Sequence, residues 1–285
     1  MSEWYYLIIL SSFLIGIVSI VEKRTLKREH ALAYSTITTI FIASLALVFL
    51  PFANFNISAF DWVVLFAVGI TSSVSYWLTA RAYKHANISV STPIMSTAPQ
   101  ALTVVAAYMI LGEKLSYIQY IGIALLLTTT FFLLFGSRPA TAKYSKRYPY
   151  LMAVIVVLMA SGAIMLKYVL YGVSVYTALF LIEMFMALNL FVISRYYHSN
   201  RNEIKRNIRK FWKPTLLIAV LTIAYRVLYY AAVSQAPISI VSPMRNVVNV
   251  IMVVMLSGAV FNEKGVKMKL ALSAVMIVAA YLIVV

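Results

Sequence analysis

The chain has 285 residues, of which 63% are hydrophobic and 11% are charged, and its formal net charge is +16. A soluble domain is about 45–50% apolar and about 25% charged, so this composition excludes an ordinary soluble fold and predicts helices that face lipid. The chain contains no cysteine, which excludes disulfides and cysteine–metal sites.

Apolar runs separated by charged or turn-like breaks predict ten membrane spans, since a spanning helix needs about 20 apolar residues. In chain order the spans are 4–21, 31–51, 61–80, 88–111, 116–136, 149–168, 174–194, 213–233, 238–258 and 267–285. The first run has no positive leader and no small-residue cleavage site, so we interpret it as a retained helix rather than a signal peptide. The runs are too long and too continuous for barrel strands, which are about ten residues long with alternating polarity.

The basic residues predict the orientation of the chain. Twenty of the 24 lysines and arginines lie in loops on one side of the membrane, and the opposite loops contain only Lys114 and Lys167. The basic loops are 22–30, 81–87, 137–148, 195–213 and 262–269. Such an excess is typical of cytoplasmic loops, and it explains the net charge better than nucleic-acid binding does. We therefore expect these loops in the cytoplasm, both termini outside, and a plasma (inner) membrane location.

A motif occurs twice along the chain. Residues Ala86–Pro93 match Ala236–Pro243 at a shift of 150 residues, and the same shift places Glu113-Lys114 on Glu263-Lys264. The alternative is a similarity that composition alone creates between two membrane helices. The identical spacing from proline to Glu-Lys in both copies disfavours that alternative.

The repeat predicts the fold class. Each half, 1–140 and 141–285, contains five predicted helices, and an odd number turns the second half upside down relative to the first. Inverted repeats around a site near the bilayer midplane are the architecture of many secondary transporters. We expect an all-α membrane protein of ten transmembrane helices in two inverted five-helix repeats around a central cavity.

This pattern resembles the EamA-type carriers of the drug/metabolite transporter superfamily. The resemblance rests on a motif that both halves contain: Ala-x-Ile-Ser and a proline, then Glu-Lys about twenty residues later, then another helix. The second copy departs from the first at one position before Glu-Lys, where Asn262 replaces Gly112. It implies a cavity lined by helices 1, 3, 4, 6, 8 and 9, with helices 5 and 10 at the periphery. It also implies a carrier of amino acids or other metabolites, with relatives that exchange nucleotide sugars or phosphorylated sugars. Many such carriers have both termini in the cytoplasm, whereas the charge count here predicts them outside.

Three charged residues lie well inside predicted spans, several residues from either end: Glu183, Arg226 and Arg245. A charge at the bilayer centre costs about 2.5–3.5 kcal/mol, so these residues are the first functional candidates. We expect Glu183 to pair with one arginine and to leave about one positive charge for a carboxylate or phosphate, which arginine binds with two parallel hydrogen bonds. Glu183 is also the predicted residue for proton coupling. The alternative is a structural ion pair that locks three helices together.

Polar side chains near these charges are further candidates for substrate binding. They are Tyr76, Gln100, Tyr230, Asn246 and Asn249. Arg245 and Asn249 are four residues apart and therefore share a helix face. The alternative for the hydroxyl residues around them is helix–helix packing, since small polar residues let membrane helices approach closely.

Proline and glutamate residues mark two other features. Pro93 and Pro243 lie inside spans, where proline can kink a helix. They are hinge candidates for a gate, with fixed geometry as the alternative. Glu113 and Glu263 precede helices 5 and 10, and a carboxylate is favoured at a helix N-terminus, so we expect them to cap these helices rather than to bind substrate.

We interpret the chain as a secondary transporter of a small metabolite, with an amino acid or another metabolite that carries an anionic group favoured. The alternatives are an exchanger of phosphorylated sugar or nucleotide sugar and, in another class, a channel or non-transporting scaffold. The sequence contains no zinc-protease, Walker or G-x-S-x-G motif, so we predict no enzyme activity, no cofactor and no metal. The expected partners are a small-molecule substrate and the lipid bilayer, with no nucleic acid, in a monomer or homodimer.

Overall fold

The computed structural model describes residues 4–26, 30–85, 88–114, 116–136, 148–197, 201–245, 249 and 266–284, which are largely α-helical and contain no strand. The helices are α1 (Trp4–Leu26), α2 (Ala31–Ala46), α3 (Ala59–His85), α4 (Ile88–Leu111), α5 (Tyr117–Gly136), α6 (Tyr148–Val169), α7 (Val175–Tyr196), α8 (Arg201–Gln235) and α10 (Val266–Val284). The segment 238–245, which we call α9, is also helical. A 3₁₀ helix, Leu47–Phe52, extends α2.

Among the residues that the structure describes, six helices are long and apolar enough to cross a membrane: α1, α2 with its 3₁₀ extension, α3, α6, α7 and α8. Large apolar side chains cover the outside of the helices, among them Val63, Met109 and Val157, which are more than half exposed. Soluble monomers rarely expose continuous apolar surface on this scale. The protein is therefore an all-helical membrane protein.

Several helices extend beyond the spans that hydropathy predicts. Helix α1 continues to Leu26, five residues past the predicted end, and α8 begins at Arg201 rather than at residue 213. The predicted loop 195–213 is therefore mostly helical. Hydropathy marks where a chain leaves the apolar layer, whereas lysine, arginine and glutamate are themselves good helix formers, so the backbone stays helical after the apolar pattern ends.

The helix contacts repeat between the two halves. Helix α1 packs on α8, α3 on α6, α2 on α8, and α3 on α7, while α2 packs on α7 and α5 on α10. Exchanging each helix with the helix five places away converts α1–α8 into α6–α3, and it converts α2–α8 into α7–α3. The same exchange leaves the pairs α2–α7 and α5–α10 unchanged. The end of the third helix of each half also agrees with the sequence repeat, because α3 ends at His85 and α8 at Gln235, 150 residues later.

Two tightly packed helix pairs, α1–α8 and α3–α6, each form a wall of the central cavity. In the α3–α6 wall, a Cβ at Gly162 would lie 3.3 Å from Thr71 Oγ1, so the helices approach closely. Helix α3 also approaches α7 through Gly69, where a Cβ would lie 2.5 Å from Phe185 Cβ and only glycine fits. These close contacts hold the walls around a central space.

Candidate substrate-binding cavity

A cavity of about 250 Å³ lies among α1, α3, α4, α6, α8 and α9. These are the six helices that the family resemblance implies, and none of the described residues that line the cavity belongs to α5 or α10. Apolar side chains form much of the wall, including Val18, Val68, Met95, Leu158 and Leu166. The volume lies just below the roughly 300–1,000 Å³ of sites for drug-sized ligands, so it suits a small metabolite.

Glu183 of α7 and Arg226 of α8 form an ion pair beside this cavity. Arg226 Nη1 donates to Glu183 Oε1 and also lies 3.4 Å from Met186 Sδ. Glu183 is completely buried and does not line the cavity, whereas Arg226 does. Glu183 therefore neutralises the charge of Arg226 before any substrate enters.

Arg245 of α9 lies in the same cavity in a different environment. Its guanidinium carbon lies 4.1 Å from the ring centre of Tyr229 and 5.4 Å from that of Tyr225, which places the cation on aromatic faces. Its Nε has no hydrogen-bond partner, and the part of the chain that the structure describes provides no carboxylate within ion-pair distance. Arg245 is thus a half-buried cation that retains its capacity to bind an anion.

Four other predicted residues also line the cavity: Tyr76, Gln100, Tyr230 and Asn249. The amide oxygens of Gln100 and Asn249 are buried and accept no hydrogen bond from the described residues. Buried amides in proteins nearly always have hydrogen-bond partners, so these two groups are candidates for direct contact with a ligand.

The sequence analysis missed one acid in the cavity, Glu22. It lies near the end of α1, is only 6% exposed, and lines the cavity. The Tyr76 hydroxyl donates to Glu22 Oε1 at 2.6 Å and the Tyr34 hydroxyl donates to the same oxygen at 3.3 Å. Neither tyrosine donates to the second oxygen, Oε2.

Comparisons with known proteins identify the family. The model of the EamA-like transporter family matches residues 2–135 and, a second time, residues 147–285. The chain belongs to the EamA-like transporter family. Its fold is also similar to that of a solved crystal structure, with a TM-score of 0.73 and 13% identity over 99% of this chain and 96% of that one. A comparison with curated proteins finds no match.

The acid in α1 changes the charge count of this EamA-like transporter. The sequence analysis places one acid, Glu183, deep in the membrane and therefore expects about one positive charge to remain in the cavity. Because α1 continues past the predicted boundary, Glu22 becomes a second buried acid beside the cavity. The described surroundings of the cavity therefore contain two acids and two arginines, and the prediction that about one positive charge remains for the substrate stays a prediction.

A sequence signal for Glu22 exists in α1 of this EamA-like transporter. Ser12, Gly16 and Ser19 form a small polar stripe, and Glu22 lies one helical step beyond Ser19 on the same face. Ser19 and Glu22 both line the cavity. The three charged residues after Val21 end the hydropathy signal, which is why the sequence assigns Glu22 to a loop.

The hinge candidates and Asn246 are only partly described. The backbone of α4 stays helical through Pro93, and that of α9 stays helical through Pro243, which is buried. The hinge role of both prolines stays a prediction. Asn246 lies outside the described residues.

Glu113 is a helix cap in this EamA-like transporter, but not of the helix that follows it. Its two carboxylate oxygens accept hydrogen bonds from the backbone nitrogens of Ile238, at 3.2 Å, and Ser239, at 3.1 Å, at the start of α9. The N-terminus of α5 has its own reciprocal cap, made by Ser116 and Gln119. The prediction that Glu113 caps α5 is therefore wrong, and Glu263 lies outside the described residues.

Proposed function

We propose that this protein is a secondary transporter that moves a small metabolite with an anionic group, and that an amino acid is the favoured substrate. The observation that carries the proposal is Arg245, a cation in the cavity without a carboxylate partner among the described residues. Arginine binds a carboxylate with two parallel hydrogen bonds. The neighbouring amide of Asn249 adds both donors and acceptors to the site.

An exchanger of phosphorylated sugar or nucleotide sugar is the second candidate in the same class. A phosphate carries up to two negative charges and is usually bound by several basic groups. In the described part of the cavity, Glu183 already neutralises Arg226, so one cation remains. This balance favours a substrate with a single negative group over a phosphorylated one.

Alternating access follows from two inverted halves that rock around a central site. The pairing of α1 with α8 and of α6 with α3 supports this architecture, because an exchange of halves relates the two pairs. The double match of one family model supports the predicted halves, 1–140 and 141–285, in the same way. The excess of lysine and arginine in alternate loops supports cytoplasmic basic loops, external termini and a plasma (inner) membrane. A monomer contains both halves and the whole cavity, and a homodimer would leave each cavity separate.

Exchange in liposomes tests the substrate class. The purified protein is reconstituted in vesicles that are preloaded with mixed amino acids, and the uptake of each labelled amino acid is measured over a range of concentrations. We expect saturable uptake that depends on the internal amino acids and that falls at least about tenfold in Arg245→Ala, the loss expected when a charge-assisted contact is removed. A channel would conduct without saturation and without exchange.

Lys213→Ala is the matched control, because it removes an exposed cation from α8 far from the cavity. It should exchange at the parent rate. Uptake of phosphorylated sugars in place of any amino acid would contradict the favoured substrate and support the second candidate. Exchange that survives Arg245→Ala would show that Arg245 does not bind the substrate.

A further inference from the structure

The described part of the cavity contains one acid and one cation that have no charged partner in contact. The Arg226–Glu183 ion pair is internally neutral, which leaves Glu22 of α1 and Arg245 of α9 as the groups that face the space. A cavity with one negative and one positive group is complementary to a zwitterion. It is less suited to a simple anion, because the carboxylate of Glu22 would repel it.

The environment of Glu22 fixes its carboxylate in position. The Tyr34 and Tyr76 hydroxyls both donate to Oε1, and both side chains are themselves well packed within α2 and α3. This arrangement leaves Oε2 as the acceptor that neither tyrosine occupies. Two donors on one oxygen also hold the side chain in a single orientation, which lowers the entropy cost of binding a ligand.

We propose that Glu22, held by Tyr34 and Tyr76, binds the ammonium group of the substrate while Arg245 binds its carboxylate, so that the carrier selects zwitterions such as amino acids over simple acids and simple amines. The inference rests on the proposed carrier function and assigns the second half of its site. It assigns the contact with the ammonium group to Glu22, which lines the cavity, and leaves Glu183, which does not line it, as the partner of Arg226.

Three probes test the assignment. They are the amino acid that exchanges best in liposomes, the carboxylic acid that lacks its amino group, and the amine that lacks its carboxylate. The parent protein should bind the amino acid at least about tenfold more tightly than either analogue. In Glu22→Gln, the affinity for the amino acid should fall about tenfold, to that of the acid analogue, and the affinity for the acid analogue should stay or rise. In Arg245→Ala, the affinity for the amino acid should fall to that of the amine analogue, and the affinity for the amine analogue should stay unchanged.

Asp61→Asn is the control, because Asp61 is a carboxylate that bonds Ser58 at the start of α3 and does not line the cavity. Tyr76→Phe is a second, milder variant that removes one hydrogen bond to Glu22. It should lower the affinity for the amino acid by about threefold and leave the affinity for the acid analogue unchanged. An equal loss of affinity for the amino acid and the acid analogue in Glu22→Gln would overturn the assignment. A failure of the carrier function itself is distinguishable, because the parent protein would then exchange none of the three probes.

A separate observation concerns two buried lysines, Lys23 of α1 and Lys167 of α6. Lys23 is 7% exposed, and its Nζ donates to the backbone carbonyl of Tyr83 in α3. Lys167 is 5% exposed, and its Nζ donates to the backbone carbonyls of Val233, at 2.8 Å, and Ala236, at 3.0 Å, at the end of α8. Both ammonium groups therefore bind carbonyls at helix C-termini, where the helix dipole favours a cation.

The two lysine contacts are equivalent in the two halves. Tyr83 and Val233 are 150 residues apart, which is the shift of the sequence repeat, and each lies two residues before the end of its helix. Lys23 and Lys167 lie on α1 and α6, which are themselves equivalent under the exchange of halves. The same contact has therefore formed twice, from a lysine on the first helix to the end of the third helix of each half.

The two contacts lie at opposite ends of the cavity. The rings of Phe60 and Tyr168 are 5.8 Å apart, so Lys167 lies near the start of α3. Lys23 binds Tyr83 near the end of α3. Phe60 and Tyr83 are separated by roughly 35 Å at the rise of an α-helix, so the lysines lie on opposite sides of the membrane core.

Each lysine also connects the two walls. Lys23 extends from the α1–α8 wall to the α3–α6 wall at the basic end of the molecule, and Lys167 extends from the α3–α6 wall to the α1–α8 wall at the other end. The walls cannot separate at one end while that contact is intact. We infer that Lys23 and Lys167 are paired gate latches, and that opening the cavity to one side breaks the latch on that side alone.

Cysteine labelling tests the latches, because the chain contains no cysteine of its own. Ser72→Cys places one thiol in the cavity wall, and a membrane-impermeant thiol reagent is applied to right-side-out and inside-out vesicles. Lys23→Met should increase labelling from the basic side by about tenfold, and Lys167→Met from the opposite side, because removing a charge-assisted hydrogen bond shifts the population toward the open form. Methionine keeps the apolar stem of each lysine and removes only the ammonium group.

Lys213→Met and Lys114→Met are the controls, since they remove exposed lysines, one at each end of the molecule. Neither should change the labelling. Lys23→Arg and Lys167→Arg keep the charge and should label as the parent does, which provides a test if a methionine variant unfolds. Increased labelling from the same side in both methionine variants, or unchanged labelling in both, would overturn the inference.

Discussion

Arg226 and Arg245 lie in one cavity, yet their surroundings differ. Arg226 contacts the fully buried carboxylate of Glu183, whereas Arg245 lies against the rings of Tyr225 and Tyr229 and has no carboxylate partner among the described residues. A carboxylate satisfies a guanidinium, but an aromatic face stabilises the cation without occupying its donors. Arg226 is therefore already paired in the cavity, whereas Arg245 is the arginine that we propose as the ligand-binding one.

The largest expected effect comes from removing the partner of Arg226. Glu183→Ala leaves a buried guanidinium without its carboxylate, and breaking a buried pair in this way typically costs about 3–5 kcal/mol. We expect a large fall in the apparent melting temperature in detergent, together with a loss of exchange that follows the loss of folded protein. Thermal unfolding monitored by tryptophan fluorescence measures the fall.

The double variant Glu183→Met/Arg226→Met separates a structural role from a binding role. Replacing both members of a buried ion pair by apolar residues is often neutral or stabilising, so the melting temperature should return to the parent value or exceed it. If Arg226 is part of the framework, exchange should return as well. A stable double variant that exchanges nothing would place Arg226 in the binding site beside Arg245.

The next largest effect comes from changing the shape of the free cation. Arg245→Lys keeps the charge but loses the planar fork that binds a carboxylate through two hydrogen bonds. We expect exchange to fall by about 10–100-fold, equivalent to the loss of one charge-assisted hydrogen bond, while the melting temperature stays within a few degrees of the parent. Normal exchange by the lysine variant would mean that charge alone, without the bidentate geometry, attracts the substrate.

The sequence predicts the positions of the helices and of the charged residues within them better than it predicts the contacts between side chains. Continuous apolar runs are long-range signals that survive errors at their ends, so α1 to α8 and α10 all occur near their predicted positions. The six helices around the cavity follow from the family resemblance, and Arg226, Arg245 and Glu183 follow from the cost of a charge in an apolar layer.

Side-chain partners require the three-dimensional structure. Nothing in the sequence around Glu113 indicates that its carboxylate binds the start of α9, because the two segments are about 125 residues apart. The charge count places Lys167 at the less basic side of the membrane, but it does not indicate that the side chain is buried against the end of α8. Glu22 is predictable from the sequence as a cavity residue, because it continues a polar stripe on one face of α1. Ending the predicted span at the first charged residue excludes Glu22 from that helix.

The smallest effect tests the aromatic face that distinguishes Arg245 from Arg226. Tyr229→Leu removes the ring 4.1 Å from the Arg245 guanidinium and keeps an apolar side chain of similar burial. A cation–π contact contributes about 0.5–2 kcal/mol, so we expect the apparent KM for exchange to rise by about 2–30-fold with little change in melting temperature. Tyr229→Phe keeps the ring and should behave as the parent does. If the phenylalanine variant loses as much affinity as the leucine variant, then the hydroxyl rather than the ring is the important group, and the ring does not hold Arg245 ready for the substrate.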